Sequence, residues 1–124
     1  MRIVEYYKRP NGREPARDWV NSEKNSSIRP SFYDRQSQLE TENIQDLIDR
    51  NIIELIKGKG RKTPPIPGFY ELKHKTCKWR MAVYHDQKRN TVILLHGWRK
   101  ASHNQDAEID KARTLLFEYM QGGT

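Results

Sequence analysis

The sequence predicts an α+β fold in a single domain over residues 1–124. An antiparallel β-meander and an N-terminal strand are expected to be packed by two N-terminal helices and followed by a C-terminal helix. Three runs of strand-forming residues with short polar links predict the meander: Phe69–His74, Lys78–His85 and Thr91–Trp98. Apolar residues at helical spacing stand before and after these runs. A chain of 124 residues supports one modest core rather than two.

The first forty residues predict a short strand and one or two helices. The strand covers Ile3–Tyr7 and stops at the turn residues Pro10–Gly12. A helix over Pro15–Ser22 follows, with a proline suited to its first turn. The polar segment Glu23–Pro30 predicts a loop. Ser31–Leu39 fits either an isolated helical turn or the start of the next helix, and the sequence leaves both open.

Two longer helices are predicted around the meander. Apolar residues recur every three or four positions over Thr41–Ile56, which predicts an amphipathic helix with Thr41 as its cap. The last helix is expected to start at Gln105 or Asp106, because acidic side chains occupy the following turn. Its predicted buried stripe consists of Ile109, Ala112, Leu115, Leu116 and Tyr119.

Positive charge is concentrated in and around the meander. Residues 57–103 contain twelve Lys or Arg and two acids, a charge of +10, while the remaining eleven basic and fourteen acidic residues give −3; together they make the net charge of +7. A surface with this much like charge repels itself. A polyanion such as nucleic acid is therefore the expected partner.

The composition also argues against several classes. Cys77 is alone, so an internal disulfide or a cysteine-based metal site is not expected. The histidines lack metal-ligand spacing, and neither a metal nor a cofactor is expected. No apolar run approaches the roughly 18 residues of a membrane span, and the N-terminus lacks a signal-peptide core. We therefore expect a cytoplasmic protein with no membrane partner.

The loop lengths predict the registers of the two hairpins. A second loop at Gln87–Asn90 places Arg80 opposite Gly97, and a first loop at His74–Cys77 places Glu71 opposite Arg80. The same registers pair further cations across the strands: Lys73 with Lys78, and Lys78 with Arg99. Glycine at position 97 would leave room for Arg80 or for a ligand backbone.

Strand alternation then predicts a cluster of cations on one side of the sheet: Lys73, Lys78, Arg80 and Arg99. Such a cluster destabilises the fold unless an anion occupies it. A structural ion pair between Arg80 and Glu71 is the alternative for Arg80 alone. One carboxylate cannot neutralise the whole set. Trp98 and Tyr84 are packing residues in most proteins, but beside a basic groove they could stack on bases.

Four short segments stand out by their order and spacing: Phe69–Lys73 (FYELK), Lys78–Arg80 (KWR), Ile93–Lys100 (ILLHGWRK) and Glu108–Arg113 (EIDKAR). Together they resemble the RelE superfamily of bacterial toxins, and most closely its HigB-like, phage-derived branch. The resemblance covers about residues 67–120, and the N-terminal strand and helices stand in the family's order.

This resemblance implies a compact RelE-like domain that acts as the toxin of a type II toxin–antitoxin system. The implied activity is a ribosome-dependent, metal-independent mRNA endoribonuclease in which a ribose 2′-OH attacks the scissile phosphate. The implied partners are the ribosome, mRNA and a cognate helix-turn-helix antitoxin of the HigA type. Two alternatives remain, a catalytically silent basic binding module and a gyrase-inhibiting toxin of the same fold.

The resemblance also implies roles for individual residues. Lys73 would be the general base, Arg80 would hold the scissile phosphate, and Arg99 would assist the leaving group. The residues expected to bind substrate are Lys75, Lys78, Tyr84, Trp98, Lys100 and His103. The sequence departs from the family where lysine replaces arginine at position 73 and where Arg99–Lys100 replaces Lys-Lys. The family's C-terminal aromatic has no clear equivalent.

Overall fold

A computed structural model describes residues 1–58, 63–101 and 105–122. In these ranges five strands form one sheet in the order β1-β5-β4-β3-β2. The strands are β1 (Ile3–Tyr6), β2 (Ile53–Leu55), β3 (Phe69–His74), β4 (Trp79–Asp86) and β5 (Thr91–Arg99). The α-helices are α1 (Pro15–Asn21), α2 (Arg29–Thr41), α3 (Ile44–Asp49) and α4 (Asp106–Gly122). Strand β1 runs parallel to β5 and the other pairs are antiparallel, which confirms the α+β class.

Each face of the sheet carries its own apolar cluster. On one face, Phe32 of α2 and Leu47 of α3 are buried in the same cluster as Trp79. On the other face, Leu116 of α4 and Leu95 belong to a second cluster. The residues of β4 predicted as core are at most 1% exposed: Trp79, Met81 and Val83. Within the described ranges, no helix combines the length and hydropathy needed to cross a bilayer.

The predicted loop at Glu23–Pro30 is wrong, because this segment is helical. Residues Glu23–Ile28 form a 3₁₀ helix, and α2 begins at Arg29 with a proline in its first turn. The Asn25 side chain holds this turn against α1 by donating its Nδ2–H to the carbonyl oxygen of Trp19 at 2.7 Å. That contact satisfies a carbonyl at the end of α1. It depends on tertiary position, which the polarity of the segment does not encode.

The single helix predicted over Thr41–Ile56 is also wrong. Helix α3 covers only Ile44–Asp49, and its cap is Asn43, whose side chain accepts hydrogen bonds from two backbone N–H groups at 2.8 and 3.2 Å. The chain then turns at Asn51, which has a positive φ of 60°, and continues as β2 along the edge of β3. The apolar spacing therefore belongs to two elements.

The first hairpin forms with a register two residues away from the predicted one. Lys73 lies opposite Arg80, and Glu71 lies opposite Ala82. The turn between the strands ends at Lys78, whose φ of 55° is left-handed. A shift of two residues keeps every side chain on its predicted face. Lys73 and Arg80 therefore share a face, as the sequence predicted.

A β-bulge in β5 alters the second hairpin. Its flanking pairs are Val83 with Leu94 and Ala82 with His96. Leu95 is therefore an extra residue, and beyond it the predicted partners shift by one. As a result Arg80 lies opposite Trp98 rather than Gly97. The predicted register holds from the turn to the bulge and is wrong beyond it.

Polar contacts hold α4 against the segment that follows β1. The Tyr7 hydroxyl donates to Glu118 Oε1 at 2.8 Å, and Arg9 Nε contacts the same oxygen at 3.0 Å. Burial, together with the hydrogen bond to Glu118, raises the pKa of Tyr7 from its ordinary value of 10.0 to about 12. The phenol is thus harder to ionise in the folded chain than in the unfolded chain.

This contact predicts an alkaline limit to stability. The folded-state pKa of Tyr7 is raised, so its contribution is fully present below pH 10 and is lost as the pH rises to about 12. Urea unfolding across this range is expected to show a steeper decline for the wild type than for Tyr7→Phe. Absorbance titration of tyrosinate should show a smaller late-ionising amplitude near pH 12 in the variant than in the wild type. Equal slopes for both proteins would contradict the assignment.

Candidate functional site

A shallow groove of about 460 Å³ lies where the β3–β4 turn meets the end of β5. Among the residues that the structure describes, those lining this cationic groove are Lys75, Lys78, Arg80, Lys100 and Ala101, and none of them carries a carboxylate. The backbone N–H of Lys100 donates to the carbonyl oxygen of Lys78 at 2.9 Å, which joins the two strand ends. Three predicted binding lysines and one predicted catalytic arginine are thus brought together.

Arg80 forms the buried inner wall of the cationic groove, with 6% of the residue exposed. Its Nε pairs with Glu71 Oε1 at 3.1 Å, and its Nη1–H donates to the carbonyl oxygen of Trp79 at 2.9 Å. Burial raises the pKa of Glu71, and the charge of Arg80 opposes that shift. The ion pair considered from the sequence therefore forms. It fixes the guanidinium in place at the end of the groove.

Lys73 lies beside Arg80 on the same face but does not line the cationic groove. Its Nζ donates to Asn51 Oδ1 at 3.0 Å and to a carboxylate oxygen of Glu54. The hydrogen bond from Lys73 lowers the pKa of Glu54. The Nζ of the predicted general base is therefore bonded to the segment of Asn51 and Glu54, outside the cationic groove.

Arg99 lies on the opposite face from Arg80, because the bulge at Leu95 reverses the alternation of β5. Its Nε donates to Asn25 Oδ1 at 2.9 Å and its Nη2 to the carbonyl oxygen of Lys24 at 3.1 Å. The predicted cluster of Lys73, Lys78, Arg80 and Arg99 on one side is therefore wrong for Arg99. Lys100, the next residue, enters the cationic groove instead.

Arg99 lines a second groove, the edge groove, of about 600 Å³. The residues lining it are Trp19, Lys24, Asn25, His96, Gly97, Trp98, Arg99 and Glu108. Trp98 is 5% exposed, stacks on His96 at 5.7 Å between ring centroids, and donates from Nε1 to Gln105 Oε1 at 2.9 Å. It is mainly a packing residue. The space that the sequence left open at Gly97 is taken by the Trp19 ring.

Tyr84, another predicted binding residue, lines neither groove. Tyr84 packs against Tyr119 with ring centroids 6.0 Å apart, and it lines a different cavity near the β4–β5 turn. Stacking on a base bound in the cationic groove is therefore not available to it. His103 lies outside the described residues.

Sequence reasoning missed the residues that hold the cations in place. Asn51 and Glu54 orient Lys73, but their segment was predicted as helix. Asn25 orients Arg99, but its segment was predicted as loop. An asparagine inside an apparently helical pattern is a signal for a chain reversal, so Asn51 could have been found. No local signal identifies Asn25.

The chemistry of the cationic groove is that of an anion site. Clustered ammonium and guanidinium groups bind phosphoryl oxygens by charge-assisted hydrogen bonds, and a fixed arginine adds geometric selectivity. Across residues 1–58, 63–101 and 105–122, no three His, Cys, Asp or Glu side chains gather as a metal site.

Fold and groove together define a small α+β domain that presents cations from neighbouring strand ends. No protein-family model matches the chain, and no curated protein matches it. The solved structure of the isolated E. coli RelE toxin aligns with a TM-score of 0.52 at 15% identity, over 93% of this chain and 100% of that one. The chain therefore has the RelE fold.

Two toxin–antitoxin complexes also align with the chain. The intact E. coli RelBE complex gives a TM-score of 0.49 at 15% identity, over 83% of this chain and 100% of that one. The RelBE2 complex of Mycobacterium tuberculosis gives a TM-score of 0.41 at 14% identity, over 82% of this chain and 93% of that one.

Proposed function

We propose that the chain is the toxin of a type II toxin–antitoxin system, in the HigB-like branch, and that it cleaves mRNA on the ribosome. The cationic groove carries this proposal, because three lysines and the buried Arg80 converge there and no carboxylate of the described residues lines it. A phosphodiester matches such a site in charge and in hydrogen-bonding geometry. The RelE fold is consistent with the same activity.

In the proposed reaction the ribose 2′-oxygen attacks the adjacent phosphorus and the 5′-oxygen leaves. The products are a 2′,3′-cyclic phosphate and a 5′-hydroxyl end. Arg80 stabilises the negative charge that develops on the phosphoryl oxygens. Lys78, in its amine form, accepts the 2′-hydroxyl proton, and the Lys100 ammonium gives a proton to the departing oxygen.

These roles differ from those that the sequence resemblance implies. Lys78 replaces Lys73 as the base, because it stands at the end of the β3–β4 turn and lines the cationic groove together with Arg80. Lys100 replaces Arg99 at the leaving group, because its backbone is bonded to that of Lys78 while Arg99 faces away. Lys75 completes the binding surface for the phosphate.

The proposal includes a cognate helix-turn-helix antitoxin of the HigA type and a cytoplasmic location, where ribosomes translate mRNA. The concentration of charge supports such a partner, since residues 57–103 carry +10 in formal charge. An antitoxin segment with acidic side chains would neutralise the cationic groove and compete with phosphate.

The Lys78→Gly variant provides a direct test. The residue has a left-handed φ of 55°, which glycine adopts without strain. The free energy of unfolding should therefore be unchanged or should rise by less than about 1 kcal/mol. Cleavage is expected to fall at least about a hundredfold, since a general base contributes that much. The measurements are growth arrest on induction and mapping of 5′-hydroxyl mRNA ends on ribosomes.

Lys88→Gln is the matched control, because Lys88 is an exposed cation in the β4–β5 turn at the other end of the sheet. This variant should arrest growth like the wild type. If Lys78→Gly cleaved mRNA at the wild-type rate, the assignment of Lys78 as the general base would be contradicted.

A second candidate is a catalytically silent basic module that binds RNA. The ion pairs of Arg80 with Glu71 and of Lys73 with Glu54 favour it, since they neutralise two of the predicted catalytic cations. This candidate predicts RNA binding with no new 5′-hydroxyl ends from the wild-type protein.

A further inference from the structure

The edge groove exists because β1 is shorter than β5. Strand β1 pairs with β5 at Thr91–Leu94, and among the described residues no strand pairs with that side of β5 beyond the bulge. The edge groove runs along this open part, between β5 and the end of α1. Its cationic residues, Lys24 and Arg99, are both exposed. This site plays no part in the reaction described above.

A buried side chain fixes the orientation of Arg99. Asn25 is 0% exposed, and its amide bridges two elements, donating to the carbonyl oxygen of Trp19 and accepting from Arg99 Nε. The carbonyl oxygen of Lys24 accepts from Arg99 Nη2. An exposed arginine held by two such contacts has already lost much of its side-chain freedom. Binding of an anion then costs less conformational entropy.

An aromatic ring lies next to this arginine. The half-buried Trp19 ring packs directly over the backbone of Gly97, where a Cβ atom would come within 2.4 Å of it. Trp19 lines the edge groove together with Arg99 and Lys24. Aromatic rings beside cations form the usual surface for single-stranded nucleic acid, with bases stacking and phosphates bound by the cations.

Consecutive residues at the end of β5 line the two grooves. Arg99 and Lys100 are consecutive, and each lines a different groove, on either side of the strand end. We propose that a single RNA strand passes over this strand end. Its scissile phosphate occupies the cationic groove. A neighbouring nucleotide occupies the edge groove, with its base on Trp19 and its phosphate on Arg99 and Lys24.

This inference rests on the proposed function for the identity of the ligand as RNA. An acidic peptide is the competing ligand. Glu108 lines the edge groove and pairs with His96 at 2.9 Å and Lys111 at 3.3 Å, so its carboxylate is engaged on the side of α4. The tryptophan favours RNA over a peptide carboxylate, because stacking requires a planar partner.

The test compares two RNA lengths that cannot be cut because every 2′ position is O-methylated. One is a dinucleotide, which can fill the cationic groove alone, and the other is an octanucleotide, which can reach both grooves. Binding is measured by fluorescence anisotropy over a range of salt concentrations. For the octanucleotide, Arg99→Gln and Lys100→Gln should each reduce the salt slope by about 0.7, as loss of one phosphate contact to a single strand requires.

Length dependence separates the two grooves. Lys100→Gln should weaken binding of both RNAs, whereas Arg99→Gln should weaken only the octanucleotide, by about tenfold. Lys24→Gln should act in the same direction as Arg99→Gln, and it leaves the backbone oxygen that holds Arg99 unchanged. Lys88→Gln is the matched control and should bind both RNAs like the wild type.

Several results would overturn the inference. One is that Arg99→Gln and Lys24→Gln bind the octanucleotide with wild-type affinity. Another is that these variants lose equal affinity for both RNA lengths. A third is that they lose affinity for an acidic peptide and keep their affinity for RNA. Cleavage in cells gives a separate result for the proposed function. If mRNA ends still depend on Lys78 while the edge-groove variants bind normally, the reaction stands and this RNA path is wrong.

Discussion

Arg80→Met is expected to lower the free energy of unfolding by about 3–5 kcal/mol, because it leaves the buried Glu71 carboxylate without its partner. The two residues pair at 3.1 Å, with side-chain exposures of 7% and 14%. The effect on stability should be reversed by a second change, Glu71→Leu, since an apolar pair of similar size replaces a buried ion pair at little cost. Urea denaturation of both variants measures the difference.

The same pair of variants separates folding from activity. Both should fail to arrest growth, with at least a hundredfold loss of mRNA cleavage, because neither has a guanidinium at the phosphate. The stable double variant then shows that the loss is chemical rather than structural. Recovery of cleavage together with stability would mean that Arg80 is only a structural residue.

Gly97→Ala is expected to destabilise the fold by about 1–3 kcal/mol through overpacking. The added methyl group would lie 2.4 Å from the Trp19 ring, which itself packs on Trp79 at 6.1 Å between centroids. The ring therefore cannot move without disturbing the core. Thermal and urea unfolding give the size of the effect.

A double-variant cycle identifies the cause. Trp19→Leu alone should also lower the free energy of unfolding. The loss in the double variant with Gly97→Ala should be smaller than the sum of the losses in the two single variants. Gly122→Ala is the control, because a Cβ at that position meets nothing within 4 Å. Additive losses in the cycle would show that the strain does not come from the Trp19 ring.

The strands of the meander could be predicted because their signals are local. The observed bounds of β3, Phe69–His74, are the predicted ones, and β4 and β5 differ by one residue. Helix α4 begins at Asp106, one of the two positions expected. Alternating apolar residues, short polar links and acids in a first turn are readable within a few residues of sequence.

Elements that depend on distant partners could not be predicted in this way. Strand β2 is three residues long and exists because β3 offers an edge to pair with. Its apolar residues also fit a continuation of α3. In the candidate site, the shared face of Lys73 and Arg80 follows from alternation, but the positions of Arg99 and Lys100 do not. The bulged residue Leu95 determines which face of the sheet Arg99 occupies, and no local sequence signal predicts this bulge.

The pairing of Arg80 with Glu71 has a consequence for which anions the protein can hold. The binding free energy that a phosphate gains at Arg80 is a difference: its own interaction with the guanidinium minus the interaction that Glu71 already provides. Small metabolites, which bring one or two such groups, would therefore compete poorly for this arginine. A polymer delivers many phosphates at once, and its neighbouring contacts raise the local concentration of the one that must bind. Under the proposed function, the internal carboxylate therefore favours an RNA chain over small anions that carry a single phosphate.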